Sequence, residues 1–312
     1  MASANPLDPA LFRPDAVSDE VRAFNKAFLD RMAAGPGPMD GDPNARGPMA
    51  PRPKSPKAFN RTVTAAGRSV EVRILAPDNP HGAYLHLHGG GLIMGTADQD
   101  DGMLERIATA TGLASVSVEY RLAPAHPYPA AWDDCETAAA WLVQNVKAEF
   151  GGDRLAIGGE SAGATLAVPT LVRMRDKHGF TGFRAANLSY GNYDTSMTPS
   201  QTWVGRNKYL IGTDDIRQCS SMYAPDASTR NDPDMSALYA EVSHMPPALF
   251  SVGTLDPFLD DSLFLYARWI AAGNEAELAV YPGAPHGFNI LGHPHQAAAN
   301  ARIDAFLKAH TA

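Results

Sequence analysis

A chain of 312 residues can bury a full core, and it fits one α/β domain with an added lobe, since domains commonly run to ~100–250 residues. Its 45% hydrophobic and 19% charged content is that of an ordinary globular protein, and 26 basic against 34 acidic residues leave a net charge of −8. That balance argues against nucleic acid or an anionic membrane as partner.

The N-terminal stretch MASANPLDPALFRPDAV lacks the basic-then-apolar pattern of a signal peptide. No uninterrupted apolar run approaches the ~18 residues of a membrane helix, so a soluble, cytoplasmic protein is expected. Residues 18–33 place Val21, Phe24, Phe28 and Met32 at spacings of three or four, which predicts an amphipathic helix capped by Ser18. From Gly35 to Lys57 the chain is too rich in Pro and Gly for a helix or strand interior and reads as a linker or surface loop.

From Thr62 on, short apolar runs alternate with helical patterns, the signature of a mostly parallel sheet flanked by helices. Strands are expected at Ser69–Leu75, Tyr84–His88, Ala114–Glu119, Arg154–Gly158, Ala186–Tyr190, Ala248–Val252 and Glu277–Tyr281. Helices are expected at Asp101–Thr111, Ala131–Phe150, Ala162–Lys177, Pro257–Ala272 and Pro294–Ala309, with a kink at Pro169 because proline removes an i→i−4 bond. Between Asn192 and His244 the rhythm breaks. The expected organisation is therefore an α/β domain from residues 58–191 and 245–312, covered by a cap from residues 1–57 and an insertion, 192–244. Of the two cysteines, Cys135 shares helical spacing with Trp132, Ala139 and Leu142 and reads as a small buried hydrophobe.

In such sheets catalytic groups collect at the C-terminal ends of strands, and four polar features end apolar runs there. Gly159-Glu160-Ser161-Ala162-Gly163 has the small residues a sharp strand-to-helix turn requires, although an ordinary helix N-cap serine would look the same. His88-Gly89-Gly90-Gly91 lets backbone N–H groups converge on one point, as a developing oxyanion demands. Asp256, before Pro257, suits either a catalytic carboxylate or a helix cap. Asp260 and Asp261 are read as outward-facing first-turn acids. His286 lies in a Gly/Pro loop after the last strand. The order Ser161, Asp256, His286, with the glycine-rich loop upstream, is the triad order of the α/β-hydrolase fold.

The strings HGGGLIMG, YRLAPAHPYPAAWDD (residues 120–134), GESAGA, GTLDPFLDD and HGF together resemble the bacterial hormone-sensitive-lipase-like family of α/β-hydrolase esterases, from about Ala83 onward. The resemblance implies a serine carboxylesterase with catalytic Ser161, Asp256 and His286, and oxyanion donors Gly90, Gly91 and Ala162. His88 and Gly89 would shape the oxyanion loop. It further implies short-chain acyl esters as substrates, no cofactor and a possible homodimer. Two departures are Glu160, where Asp is frequent, and Ala164, where Gly is frequent.

An amidase or acetyl-hydrolase would use the same triad, and a non-catalytic small-molecule receptor on this scaffold is the remaining reading. Leu92, Trp203 and Phe288 are candidates to line the substrate pocket, with core packing as the alternative. His293 and His295 flank a proline without acidic or Cys neighbours, so a solvated turn and no metal dependence are expected. Arg121 should pair with Asp133 or Asp134.

Overall fold

Phe59–Ala65 (β1) and Arg68–Leu75 (β2) form a hairpin whose turn residues, Ala66 and Gly67, take φ of 50° and 75°, the geometry that matches the twist of two strands. β1 lies outside the expected strands. Only Val63 and Ala65 of it are buried, so it offers half of one alternating face and little hydrophobic signal. In this computed structural model, which describes residues 7–33 and 53–312, the hairpin is one edge of an eight-stranded sheet. The other strands are β3 (Gly82–Leu87), β4 (Ala114–Glu119), β5 (Arg154–Glu160), β6 (Ala185–Ser189), β7 (Ala248–Gly253) and β8 (Ala276–Tyr281). Their spatial order is β1-β2-β4-β3-β5-β6-β7-β8. Pairing is antiparallel within the hairpin and between β2 and β4, and parallel everywhere else.

Every residue of β3, β6 and β7 is buried, because helices cover both faces of the parallel part. Ala83, Leu85, Leu87, Ala248 and Phe250 face α3 (Ala130–Phe150), α4 (Ala162–His178) and α7 (Leu259–Ala271) in the larger core. Tyr84 and Leu249 face α2 (Asp101–Thr111) and α8 (Gln296–Thr311). Strand and helix positions agree with the sequence to within a residue or two at most ends. Helix α4 runs unbroken through Pro169, and α3 buries Cys135 completely.

The N-terminal helix α1 spans Asp19–Ala33, and the Ser18 hydroxyl accepts the Val21 N–H at 3.3 Å. Its Val21, Asn25 and Phe28 are buried, and Asn25 Nδ2 donates to the Gly283 carbonyl at 2.7 Å. Most of the Gly35–Lys57 segment, residues 35–52, lies outside the described residues. The insertion holds two further helices, α5 (Pro199–Trp203) and α6 (Thr213–Tyr223). None of the described helices is long and apolar enough to cross a membrane.

Candidate active site

The strand order brings the ends of β3, β5, β7 and β8 to one side of the sheet centre, with only β6 between the Ser161 strand and β7. At the end of β5 the chain turns into α4 through Ser161, which is held at φ 57° and ψ −120°, a conformation a non-glycine residue adopts only under constraint. Two glycines supply that constraint. A methyl group on Gly159 would lie 2.1 Å from the Leu87 carbonyl oxygen, and one on Gly163 would lie 1.8 Å from the same atom. The turn is thus wedged against the end of β3, where the glycine loop begins. Ser161 precedes α4 but makes no side-chain capping bond, which removes the helix-cap alternative for its hydroxyl.

That hydroxyl lies 2.8 Å from His286 Nε2. On the other side of the ring, Nδ1 sits 3.1 Å and 3.0 Å from the two Asp256 carboxylate oxygens. Asp256 is fully buried, and its Oδ1 also accepts the Phe258 N–H at 2.9 Å. The two readings of Asp256 are therefore not exclusive: it closes a local turn before α7 and holds the histidine. The imidazole stands edge-on to Tyr190 and Phe258, with ring centroids 4.8 Å and 5.3 Å away, which fixes its plane. Neither aromatic carried a sequence signal, since each lies in a loop far from the histidine.

In the glycine loop, His88 Nδ1 donates to the Gly89 carbonyl at 2.8 Å, a bond also received from Gln99 Nε2 at 3.1 Å. Burial pushes the His88 pKa down to about 4, so the ring is neutral near pH 7. It stacks on Tyr120 at 4.0 Å, and the Tyr120 hydroxyl donates to the His88 carbonyl at 2.7 Å. The loop carbonyls are occupied in this way, whereas the N–H groups of Gly90, Gly91 and Ala162 meet no acceptor among the described residues. Tyr120 opens the YRLAP segment, and the same segment's Arg121 forms a two-pronged pair with Asp134, at 2.9 Å on each side. Asp133 instead pairs with Arg173.

Behind the turn, Glu160 Oε2 lies 3.0 Å from His86 Nε2, and His86 Nδ1 lies 3.0 Å from Ser117 Oγ. This chain crosses β5, β3 and β4 and ties the serine turn to the strand feeding the glycine loop. With Asp100 these two side chains make a buried group whose ligand-type atoms lie within 4.8 Å of one another. Among the described residues it is the group able to hold a metal ion; both His86 nitrogens and Glu160 Oε2 are engaged in the strand-to-strand ties, Asp100 receives Gln99 Nε2 at 3.1 Å, and Glu160 Oε1 is buried without a hydrogen-bond partner.

Several readings need correction. Asp261 faces inward: fully buried, it accepts the Tyr193 and Asp194 N–H groups at 2.8 Å and 3.0 Å, and the Thr198 hydroxyl at 2.6 Å. Burial pushes its pKa up to about 7 against those donors. His293 does not sit in a solvated turn, because Phe24 of α1 and Phe288 enclose its ring and burial lowers its pKa to about 4. Of the three pocket candidates, Phe288 is fully buried against Tyr190 and Tyr281, so it is core. Leu92, at φ 65°, turns its side chain into the larger core. Trp203 is 71% exposed at the end of α5, with Arg206 over its ring. Two side chains that meet the site's glycines, Cys219 at Gly91 and Leu210 at Gly287, come from the insertion and had no motif to announce them.

The sequence pattern of the alpha/beta hydrolase fold family matches residues 84–290, and this chain belongs to that family, in its hormone-sensitive-lipase-like branch. Among relatives, an ethyl acetate hydrolase of Pseudomonas putida is 32% identical over 74% of this chain and 74% of its own length. An acetyl esterase of Salmonella schwarzengrund is 28% identical, covering 70% of this chain and 69% of its own. Among solved structures, an esterase of Pyrobaculum calidifontis superposes with a TM-score of 0.77 at 26% identity, over 98% of each chain.

Proposed function

We propose that this protein is a serine carboxylesterase that hydrolyses short-chain acyl esters through an acyl-enzyme. The observation that carries the reading is the unbroken line from Asp256 through His286 to the Ser161 hydroxyl, 2.8 Å from Nε2, on a turn whose strained φ exposes that hydroxyl. His286 Nε2 takes the proton as Ser161 Oγ attacks the ester carbonyl carbon. Asp256, bound to Nδ1, keeps the ring in the tautomer that leaves Nε2 free to do so, and stabilises the imidazolium that forms. The N–H groups of Gly90, Gly91 and Ala162 receive the oxyanion, each such donor contributing about 3 kcal/mol in comparable sites. Collapse breaks the bond to the alkoxy oxygen, which leaves as alcohol with the proton from Nε2. Water then attacks the acyl carbon, gives its proton to Nε2, and Ser161 departs with that proton.

The insertion 192–244 and α1 serve in this reading as a cap over the strand ends. Asn25 and Phe24 of α1 engage the loops around His286, and Leu210 and Cys219 of the insertion meet Gly287 and Gly91. A small acyl group is favoured by the relatives named for ethyl acetate and acetyl esters. Hydrolysis of p-nitrophenyl esters of graded acyl length tests this directly. Wild type should turn over the short members fastest, and Ser161→Ala should lose about 10⁴-fold or more in kcat while melting as wild type does. Full activity in Ser161→Ala would remove the nucleophile assignment.

A further inference from the structure

Two side chains of the insertion touch opposite flanks of the site. A methyl group built on Gly91 would lie 3.0 Å from the Cys219 sulfur, so α6 sets its thiol directly against the third glycine of the oxyanion loop. A methyl group on Gly287, the residue after His286, would lie 3.2 Å from Leu210 Cδ2. Both side chains are half-buried. Helix α6 is held in this place at both ends. The Thr213 hydroxyl donates to the Gln201 carbonyl at 2.7 Å, and the Tyr223 carbonyl accepts the Tyr128 N–H at 2.9 Å. Burial, followed by the Asp215 charge, pushes the Cys219 thiol up to about 12, so it stands there neutral, as a small apolar wall rather than a nucleophile.

Resting on the esterase reading, the chemistry distinguishes the two flanks. The leaving alkoxy oxygen must come within hydrogen-bond reach of His286 Nε2, because that nitrogen hands it the proton. The carbonyl oxygen must point at the Gly90, Gly91 and Ala162 N–H groups. The alcohol portion is thereby directed toward the His286 loop, and the acyl chain, borne by the carbon whose oxygen the glycines hold, leaves on the side away from Nε2, alongside the glycine loop. We propose that Cys219 and Leu210 are the specificity-determining residues of this site, Cys219 bounding the acyl chain and Leu210 bounding the alcohol.

The test crosses two substrate series with two variants. One series holds p-nitrophenol constant and lengthens the acyl group from acetyl to octanoyl; the other holds acetate constant and lengthens the alcohol from methyl to octyl. Cys219→Leu should lower kcat/KM for octanoyl relative to acetyl by about tenfold, the scale of a few misplaced methylenes, and leave the alcohol ratios unchanged. Leu210→Ala should raise the octyl-to-methyl ratio by about threefold and leave the acyl ratios unchanged. If Cys219→Leu does not fold, Cys219→Ala carries the same test with the opposite sign, favouring the longer acyl groups. Equal scaling of all esters in both variants, or the two effects exchanged between series, would overturn the assignment. Ser161→Ala run alongside separates the failures: residual turnover there defeats the esterase mechanism, whereas an inactive Ser161→Ala with flat ratios defeats only the roles of Cys219 and Leu210.

Discussion

The strand-end loops and the insertion that lies on them are held by different physics. Around Ser161 the constraint is backbone against backbone: Gly159 and Gly163 are pressed on one Leu87 carbonyl, and no side chain fits between. The insertion is held by side chains reaching across long gaps in sequence. Asp260 and Asp261 of α7 bind Tyr193, Asp194, Thr198 and Ser200 at its beginning, and Arg173 of α4 binds Asp234 at 2.7 Å near its end. Backbone wedging leaves little freedom for a reacting hydroxyl to move, and preorganisation of that kind serves the reaction itself. Side-chain anchoring tolerates more change in what lies between the anchors, which suits the substrate-choosing role proposed for the insertion.

The largest effect that would break this comparison is at Asp256. If it only closed the turn before α7, Asp256→Asn would retain the oxygen that accepts the Phe258 N–H and would keep full activity. As the orienting acid it should lose about 10⁴-fold in kcat, because an amide facing Nδ1 stabilises the wrong tautomer. Steady-state kinetics beside a melting curve separate the two, since the fold should hold in both cases. Next in size is Gly159→Ala. With its methyl group 2.1 Å from a backbone oxygen, it should destabilise by about 3 kcal/mol or more, read as a lowered denaturation midpoint in urea. A midpoint unchanged from wild type would show that the turn has room to shift.

The same contrast explains what could be read from sequence. Backbone wedging demands glycine at fixed offsets, so GESAGA and HGGG stand out as strings, and their order with Asp256 and His286 does the rest. Strands β3 and β7 were visible as mostly apolar runs because helices cover them on both sides. β1 was not, since it buries two residues and exposes the others. Side-chain anchoring leaves no such trace. Asp261 looks like any acid in a first helical turn, and its inward direction follows only from where the insertion folds back. Phe288 and Leu92 sit next to catalytic loops in sequence, yet left-handed backbone at Leu92 and the tight loop after His286 send both side chains into the core. Tyr190 and Phe258, which frame the histidine, are brought to it from other strand ends by the sheet order alone.

At the anchor the expected effects are smaller and lie in stability. Asp261→Ala strips a common acceptor from the Tyr193 and Asp194 N–H groups and the Thr198 hydroxyl, and should cost about 3 kcal/mol. Its pH dependence has a definite sign. The folded-state pKa, pushed up to about 7 by burial, lies above the unfolded carboxyl value of 3.8. Asp261 therefore contributes stability fully below that lower value and loses it as pH rises through about 7. Wild type should lose more melting temperature between pH 5 and pH 8 than Asp261→Asn, which has no proton to give up; equal slopes would mean that the carboxylate is not charged at the cost expected of a buried site.

The smallest effect belongs to Trp203. A side chain 71% exposed and resting against Arg206 should change stability by less than about 0.5 kcal/mol when replaced by alanine. With the site bounded by Cys219 and Leu210, it should also leave the acyl-length profile on p-nitrophenyl esters as in wild type. A shifted profile in Trp203→Ala would mean that the cap closes further over the strand ends during turnover than its resting contacts require, bringing α5 to the substrate.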